Sequence, residues 1–442
     1  MFRQIAALVN APNDLNRIKG NWYSFFIHQP GELIAHLLKL RFQIQIRRRL
    51  DIQFTTELMP HSDHLLFKMI TNKGSINSMK KLKIGVLTFH RCINYGSYWQ
   101  ARSLVEGLCA LGHSAVILDH ESPQVNLAEW RCAYQPVLPT PIPSSDYPLY
   151  REKITGFFRS FQSLPLSSRF RLNEPAQMDN YDVVVVGSDE VWNLFHPWYG
   201  RYPIFFGDGI RAQRLVAYAA SFGNYDASWQ LEQAWAGKLK NFTSISVRDE
   251  NSQQIIQSAL GAQPELVLDP CLQFTIAPDE RDRSKLKEPF IAVYGHNFSK
   301  PFINQVRTWA AYKNLPLVSI GYRNDWADKQ WITADPHDFA HFMKRSEAVA
   351  TNFFHGCVFA LRNFKPFVCE TSSYRGNKLL GLLKKTGSEN HLVNEKTKAE
   401  KYNTLLSEPL DDEIFHRISQ LRQSSNAFLE QSLNLTNPNS YG

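Results

Sequence analysis

At 442 residues the chain is about three times the ~150-residue size of a typical domain, so two domains with added segments are expected. Hydrophobic residues make up 43% and charged residues 20%, which excludes a disordered or fibrous protein. Lys+Arg 49 against Asp+Glu 41 gives a net charge of +8, too modest for a dedicated nucleic-acid binder, and no nucleic-acid partner is expected.

The first 78 residues carry ten Lys/Arg and five Asp/Glu. Residues 32–50 (ELIAHLLKLRFQIQIRRRL) place leucines at helical spacing ahead of Arg47, Arg48 and Arg49. That pattern predicts either a basic helix at an anionic membrane surface or a helical appendage packed on the main body. No stretch reaches the ~18 apolar residues of a membrane span, and the starting apolar run is short for a secretory signal. Cys92, Cys109, Cys132, Cys271, Cys357 and Cys369 include no C-x-x-C pair, so reduced thiols are expected. The expected location is cytoplasmic, with peripheral contact at the inner membrane face through residues 32–50.

Regular structure is predicted from residue 81. Strands are read at 83–89 (KIGVLTF), 115–119 (AVILD), 181–186 (YDVVVV), 215–220 (LVAYAA), 244–248 (SISVR) and 265–269 (ELVLD). Helical segments lie between them, including 97–111 and 151–161. The Pro-rich stretch 136–148 is read as irregular. A charged stretch at 275–289 serves as linker, and strands follow at 291–296, 315–322, 348–353 and 365–370. Alternating strands and helices predict parallel sheets covered on both faces. The fold class is α/β, with two Rossmann-like domains at 79–274 and 290–410. A helical extension covers 1–78, and a C-terminal helix and tail at 411–442 is expected to pack back across the first domain. Ligands in such sheets bind beyond the carboxyl ends of the strands, here in a cleft between the domains.

Those strand ends carry the candidate chemistry. Asn94-Tyr95-Gly96 turns the first strand into a helix, as a plain tight turn or as a cradle whose N–H groups take a phosphate. No G-x-G-x-x-G or G-x-x-x-x-G-K-[ST] occurs, so a nucleotide cofactor is not indicated. Ser188 and Asp189 follow a run of four valines. Asp189 either orients a sugar hydroxyl or acts as a base, or it caps a helix. Arg248 ends another strand, where it suits a bidentate carboxylate or phosphate contact or a salt bridge with a neighbouring acid. Asp269-Pro270 reads as a turn. His355, just before Gly356 at a strand-to-helix junction, is either a general acid or base or a histidine bonded to main chain. No histidine spacing indicates a metal.

The segments KIGVLTFHRCINYGSYWQA, YDVVVVGSDEVWN, AYAASFG, SISVRDE, ELVLDP, TNFFHGCVFALRNFKPF and SYRGNKLLGLLKKTG together resemble the polysaccharide pyruvyl transferase family, over roughly residues 81–390. The resemblance implies a two-domain GT-B-like fold and transfer of the enolpyruvyl carbons of phosphoenolpyruvate to glycan hydroxyls, usually as a pyruvate ketal. It implies a catalytic or donor-binding role for His355 and a donor-binding role for Arg248. Asn94, Gly96 and Gly356 are placed with the donor, and Ser188 and Asp189 with the acceptor, a cell-surface or lipid-linked glycan. No cofactor or metal is implied. Three places depart from the family's usual pattern: Asn352-Phe353 ahead of His355, Glu190 where Gln is common, and Tyr98-Trp99 in the first helix. A sugar-nucleotide glycosyltransferase on a similar fold and an inactive glycan-binding protein are the alternatives.

Overall fold

The structure, a computed structural model, describes residues 80–278, 286–371 and 376–434. The basic segment at 32–50 and the middle of the linker at 275–289 lie outside the described residues. Residues 79–442 form one compact unit.

Its first half runs β1 (Lys83–Leu87), α1 (Tyr95–Ala110), β2 (Ser114–Ile117), β3 (His120–Glu121), α2 (Pro123–Tyr134), α3 (Tyr147–Gln162), β4 (Phe170–Arg171), β5 (Tyr181–Val186), β6 (Ala212–Ala220), α4 (Gln233–Leu239), β7 (Ser244–Val247), α5 (Glu250–Leu260), β8 (Glu265–Leu266) and α6 (Pro270–Gln273). The second half runs β9 (Ile291–Tyr294), α7 (Lys300–Lys313), β10 (Leu317–Ile320), β11 (Lys329–Trp331), α8 (Pro336–Arg345), β12 (Ala348–Thr351), α9 (Phe354–Arg362), β13 (Phe367–Glu370), α10 (Gly376–Thr386), β14 (Leu392–Val393), α11 (Ala399–Ser407) and α12 (Asp412–Leu433).

Each half is built on one six-stranded parallel sheet, in the order β2-β1-β5-β6-β7-β8 and β11-β10-β9-β12-β13-β14. The reason is visible in Val183 to Val186 of β5: all four are buried, as a strand covered on both faces requires. The result is the doubly wound, GT-B-like architecture implied by the sequence. One helix begins earlier than predicted. The first turn of α3 takes in Pro148, because proline is tolerated where helix N–H groups lack intrahelical partners.

The two halves share a continuous apolar core, which reaches from Ile84 and Val183 beneath the first sheet to Ala292 and Val318 of the second. Helix α1 is the joint. Tyr95 stacks on Phe339 at 4.6 Å and donates to the Ala334 carbonyl at 2.7 Å. Tyr98 Oη lies 3.0 Å from His337 Nε2, and Trp99 Nε1 donates to the Pro336 carbonyl at 2.7 Å. Tyr98 and Trp99, which depart from the family pattern, are therefore interface residues, and both are fully buried. Loss of a buried Trp typically costs ~3–5 kcal/mol.

Helix α12 returns to the first half, as expected from sequence. Ser425 Oγ accepts from the Leu268 N–H at 3.0 Å, and Arg422 Nε donates to the Leu272 carbonyl at 2.7 Å. These bonds anchor the chain around β8 and α6, which supply part of the candidate site. Among the described residues no helix is long and apolar enough to cross a membrane.

Candidate active site

The site forms where the carboxyl ends of β7 and β8 meet the start of α9. β7 delivers Arg248, β8 leads to Asp269, and the first turn of α9 delivers His355. Asp269 caps the short helix α6, with Oδ1 accepting from the Cys271 N–H at 3.0 Å. Its other oxygen accepts from Arg248 Nη1 at 2.9 Å and lies 3.6 Å from His355 Nε2. The second distance is beyond hydrogen-bond reach. Burial alone would raise the Asp269 carboxyl, but His355 and Arg248 outweigh it and hold it well below the usual range.

Arg248 is fixed on every side. Nη1 also meets Ser188 Oγ at 3.3 Å, Nη2 meets Asp189 at 3.4 Å, and the guanidinium carbon lies 4.8 Å from the centre of the Phe354 ring. Its carbonyl accepts from Lys385 Nζ at 2.9 Å, and the same ammonium donates to the Val267 carbonyl at 2.8 Å. Lys385 of α10 thus ties the ends of two first-half strands to the second half. Burial lowers its ammonium to about 8. Burial also opposes the charge on Arg248, but Asp189 and Asp269 more than compensate.

His355 differs from these neighbours. Its Nε2 is buried and has no hydrogen-bond partner among the described residues. The ring is positioned by shape. A Cβ on Gly96 would lie 2.0 Å from His355 Nδ1, so only glycine at this position of α1 admits the imidazole. Gly356, the next residue of α9, is restricted too, since a Cβ there would lie 2.0 Å from Thr351 Oγ1.

Several sequence expectations are redrawn. The Gly96 and Ser97 N–H groups both donate to Asn94 Oδ1, at 2.8 and 3.3 Å, so this turn is a capped helix start rather than an open phosphate cradle. The Gly356 N–H donates to the Phe353 carbonyl at 3.0 Å. Ser188 and Asp189 lie beneath Arg248 instead of facing an acceptor. Ser188 Oγ donates to the Ala219 carbonyl at 3.1 Å, and Asp189 Oδ2 accepts from Ser97 Oγ at 2.7 Å. Asp189 has φ 78°, a left-handed conformation that an Asp tolerates better than most residues.

Asp269 is the residue whose place in the site went unread, because Asp before Pro reads as a turn. Its position at a strand's carboxyl end was the available signal. The Glu190–Lys378 ion pair also joins the halves beside this cluster. Burial would raise the Glu190 carboxyl, but Lys378 pulls it down to about 2.

Asp269, Cys271 and His355 bring ligand-type atoms within 4.8 Å of one another. They do not fit a cation. Arg248 already occupies the Asp269 oxygen, and burial next to Asp269 pushes the Cys271 thiol well above its ordinary value.

Similar solved structures include MnaA of S. aureus in complex with UDP. It is 14% identical, with 81% of this chain and 99% of that chain covered, at a TM-score of 0.43. A putative UDP-N-acetylglucosamine 2-epimerase from Listeria monocytogenes is 12% identical over 82% and 93% of the two chains, at 0.44. The glycosyltransferase SnogD from Streptomyces nogalater is 12% identical over 80% and 99%, at 0.36. No curated protein matches the chain. The family model described as polysaccharide pyruvyl transferase matches residues 94–374, a span that runs from the cap of α1 past His355. The chain belongs to the polysaccharide pyruvyl transferase family.

Proposed function

We propose that this enzyme transfers the pyruvyl group of phosphoenolpyruvate to two hydroxyls of a glycan, forming a ketal and releasing inorganic phosphate. The observation that carries the reading is His355 Nε2, buried without a hydrogen-bond partner, 3.6 Å from Asp269 and beside Arg248. A donor with a phosphate and a carboxylate needs fixed positive charge, and the Arg248 guanidinium, anchored by Asp269, Asp189 and Ser188, supplies it beside the His355 ring.

The chemistry follows from the donor. A proton passes from His355 to the methylene carbon while a sugar hydroxyl attacks the adjacent carbon, and the hydroxyl's own proton returns to His355. The C–O bond to phosphate then breaks, and the departing phosphate carries away the bonding electron pair. A second hydroxyl adds to the resulting cation, gives its proton to the departing phosphate and closes the ketal. Arg248 stabilises the donor's negative charge, and Asp269 keeps Arg248 and His355 in register. Asp189 and Ser188 act through Arg248.

The test is to incubate the protein with phosphoenolpyruvate and a panel of glycans, following phosphate release and glycan mass. Phosphate released in step with mass gain, and lost in His355→Ala, supports the reading. Thermal stabilisation by a nucleotide sugar with none by phosphoenolpyruvate would replace it with sugar-nucleotide chemistry.

A further inference from the structure

Ser188 and Asp189, the residues expected to meet the acceptor, are buried in contact with Arg248, which leaves the wider glycan to more exposed groups. Beyond the carboxyl ends of β5 and β6, two loops leave large rings in solvent. Phe195 is 54% exposed and Trp229 is 48% exposed. With Tyr225 they form one aromatic patch. Phe195 stacks on Tyr225 at 5.2 Å, and Trp229 stands edge-on to both, at 5.3 and 5.4 Å. Exposed aromatic groups this closely gathered mark a binding surface more often than scattered apolar residues do.

The patch is continuous with two polar features. On one side Asn193 Nδ2 donates to Glu190 at 3.0 Å and to Asn224 Oδ1 at 2.7 Å. Glu190 in turn pairs with Lys378 and directly follows Asp189, the Arg248 ligand. On the other side the loop carrying Trp229 borders a groove of about 620 Å³ between α5 and α10. Its lining includes Asp226, Ser228, Gln254, Gln257, Ser258 and Lys384. Amides, hydroxyls and isolated charges both donate and accept hydrogen bonds, as sugar hydroxyls require, and flat rings match the C–H faces of pyranoses.

We infer that the Phe195–Tyr225–Trp229 patch and the adjoining α5/α10 groove bind the acceptor glycan, with a pyranose ring stacked on Trp229 and the chain extending along the amide-lined groove. A hydrogen-bonded run of Asn224, Asn193 and Glu190 connects the sequence neighbours of Tyr225 and Phe195 to Asp189 of the Arg248 cluster. This inference rests on the pyruvyl-transfer reading above.

The test is an array of microbial oligosaccharides probed with the full chain, its Trp229→Ala, Trp229→Phe and Phe195→Ala variants and His355→Ala. Phosphoenolpyruvate binding is measured separately by calorimetry. We expect Trp229→Ala and Phe195→Ala to lower array binding at least ten-fold, Trp229→Phe to retain most of it, and His355→Ala to leave it intact. Donor affinity and melting temperature should be unchanged in Trp229→Ala. Equal array binding by Trp229→Ala and the parent overturns the inference, as does a parent that binds no glycan. A parent that is dimeric by light scattering and a Trp229→Ala variant that is monomeric would reassign the patch to a second copy of this chain, which also overturns it. Absent phosphoenolpyruvate binding with Trp229-dependent glycan binding would leave the glycan site standing and reject the donor reading instead.

Discussion

The first half contains two clusters in which an aspartate holds a histidine and an arginine, and they differ in one respect. In the cluster at the ends of β1 and β2, His90 Nε2 is bonded to Asp119 Oδ1 at 3.0 Å, its Nδ1 lies 3.4 Å from the Thr88 carbonyl, and the ring is fully buried. Arg91 Nε and Arg169 Nε reach the same carboxylate, at 2.8 and 3.1 Å. In the cluster completed by the second half, His355 Nε2 stops at 3.6 Å from Asp269 and has no hydrogen-bond partner among the described residues. The residue types are the same, but only the second cluster leaves a ring nitrogen available. A buried polar atom left unsatisfied costs ~1–3 kcal/mol, which a fold tolerates where a ligand will meet it. On the mechanism proposed above, the second cluster is the reacting one and the first is structural.

Replacing the two histidines breaks the comparison most directly. His355→Gln should reduce turnover by ~10²–10⁴ with little change in melting temperature, the loss usual for a general acid. His90→Gln should do the reverse. It removes satisfied bonds in a closed core, so we expect ~1–3 kcal/mol of destabilisation and near-normal turnover per folded molecule. Urea unfolding and steady-state phosphate release on both variants check the pair. A His90 variant that folds normally but does not turn over would erase the distinction.

Gly96→Ala sharpens it without touching a titrating group. The added Cβ falls on the His355 ring, so the imidazole must move. Misplacement by about 1 Å can cost ~10² in rate. Gly96→Ala is therefore expected to resemble His355→Gln in turnover, while binding of phosphoenolpyruvate weakens less than turnover does.

The aspartates come next. Asp269→Asn leaves the charge of Arg248 in a site where the side chain is 4% exposed, and removing one partner of a buried pair costs ~3–5 kcal/mol. Asp119→Asn should cost less, because Arg169 is 55% exposed and water replaces some of the lost contact. Burial would raise Asp119, but His90 and Arg91 hold it well below its ordinary value, as His355 and Arg248 do for Asp269. A carboxylate depressed in the folded state contributes stability above its unfolded pKa of ~4 and loses it as the pH falls. Acid unfolding should begin at a higher pH in the parent than in a variant lacking such a carboxylate, measured relative to each protein's stability at pH 7.

Much of this arrangement could be read along the chain. Buried parallel strands are written as runs such as Val183 to Val186, so both sheets were locatable, and the strand-end rule picked out Arg248 and His355. What was missed depends on contacts distant in sequence. Asp269 reads as a turn until Arg248 and His355 stand beside it. Ser188 and Asp189 look ready for a ligand until the guanidinium is placed over them. Tyr98 and Trp99 look anomalous in an ordinary α1, and their partners His337 and Pro336 lie more than 230 residues away. Gly96 reads as a phosphate-turn glycine, whereas its lack of a side chain makes room for a ring from the other half.

The smallest expected effect concerns a buried cation with no carboxylate among its named contacts, the counterpart to both clusters. Lys153 of α3 is 2% exposed, donates to the Gly321 carbonyl at 2.8 Å, and lies over the rings of Tyr322 and Tyr95 at 4.3 and 5.3 Å. Burial lowers its ammonium to about 7, with Cys132 opposing slightly. The folded value therefore lies below the unfolded value of ~10.4. Between about 7 and 10 the unfolded chain binds more protons at this residue, so stability contributed here rises with pH and falls as the pH drops toward 7. Lys153→Met keeps the apolar stem and removes the charge, at the loss of one bond to Gly321 and two ring contacts. The net effect at pH 7 should be small, within ~1 kcal/mol of the parent, because loss of the ring and carbonyl contacts offsets relief of desolvation. At pH 9 the parent should gain on the variant. Urea midpoints at pH 7 and pH 9 measure the slope; in Lys153→Met the remaining slope is set by Lys385, whose lowered ammonium raises it, against the raised thiols of Cys92 and Cys271, which oppose it. An unchanged slope in Lys153→Met would mean that Lys153 stays protonated throughout, and that the Gly321 carbonyl and two rings can hold a buried charge as firmly as the aspartates hold theirs.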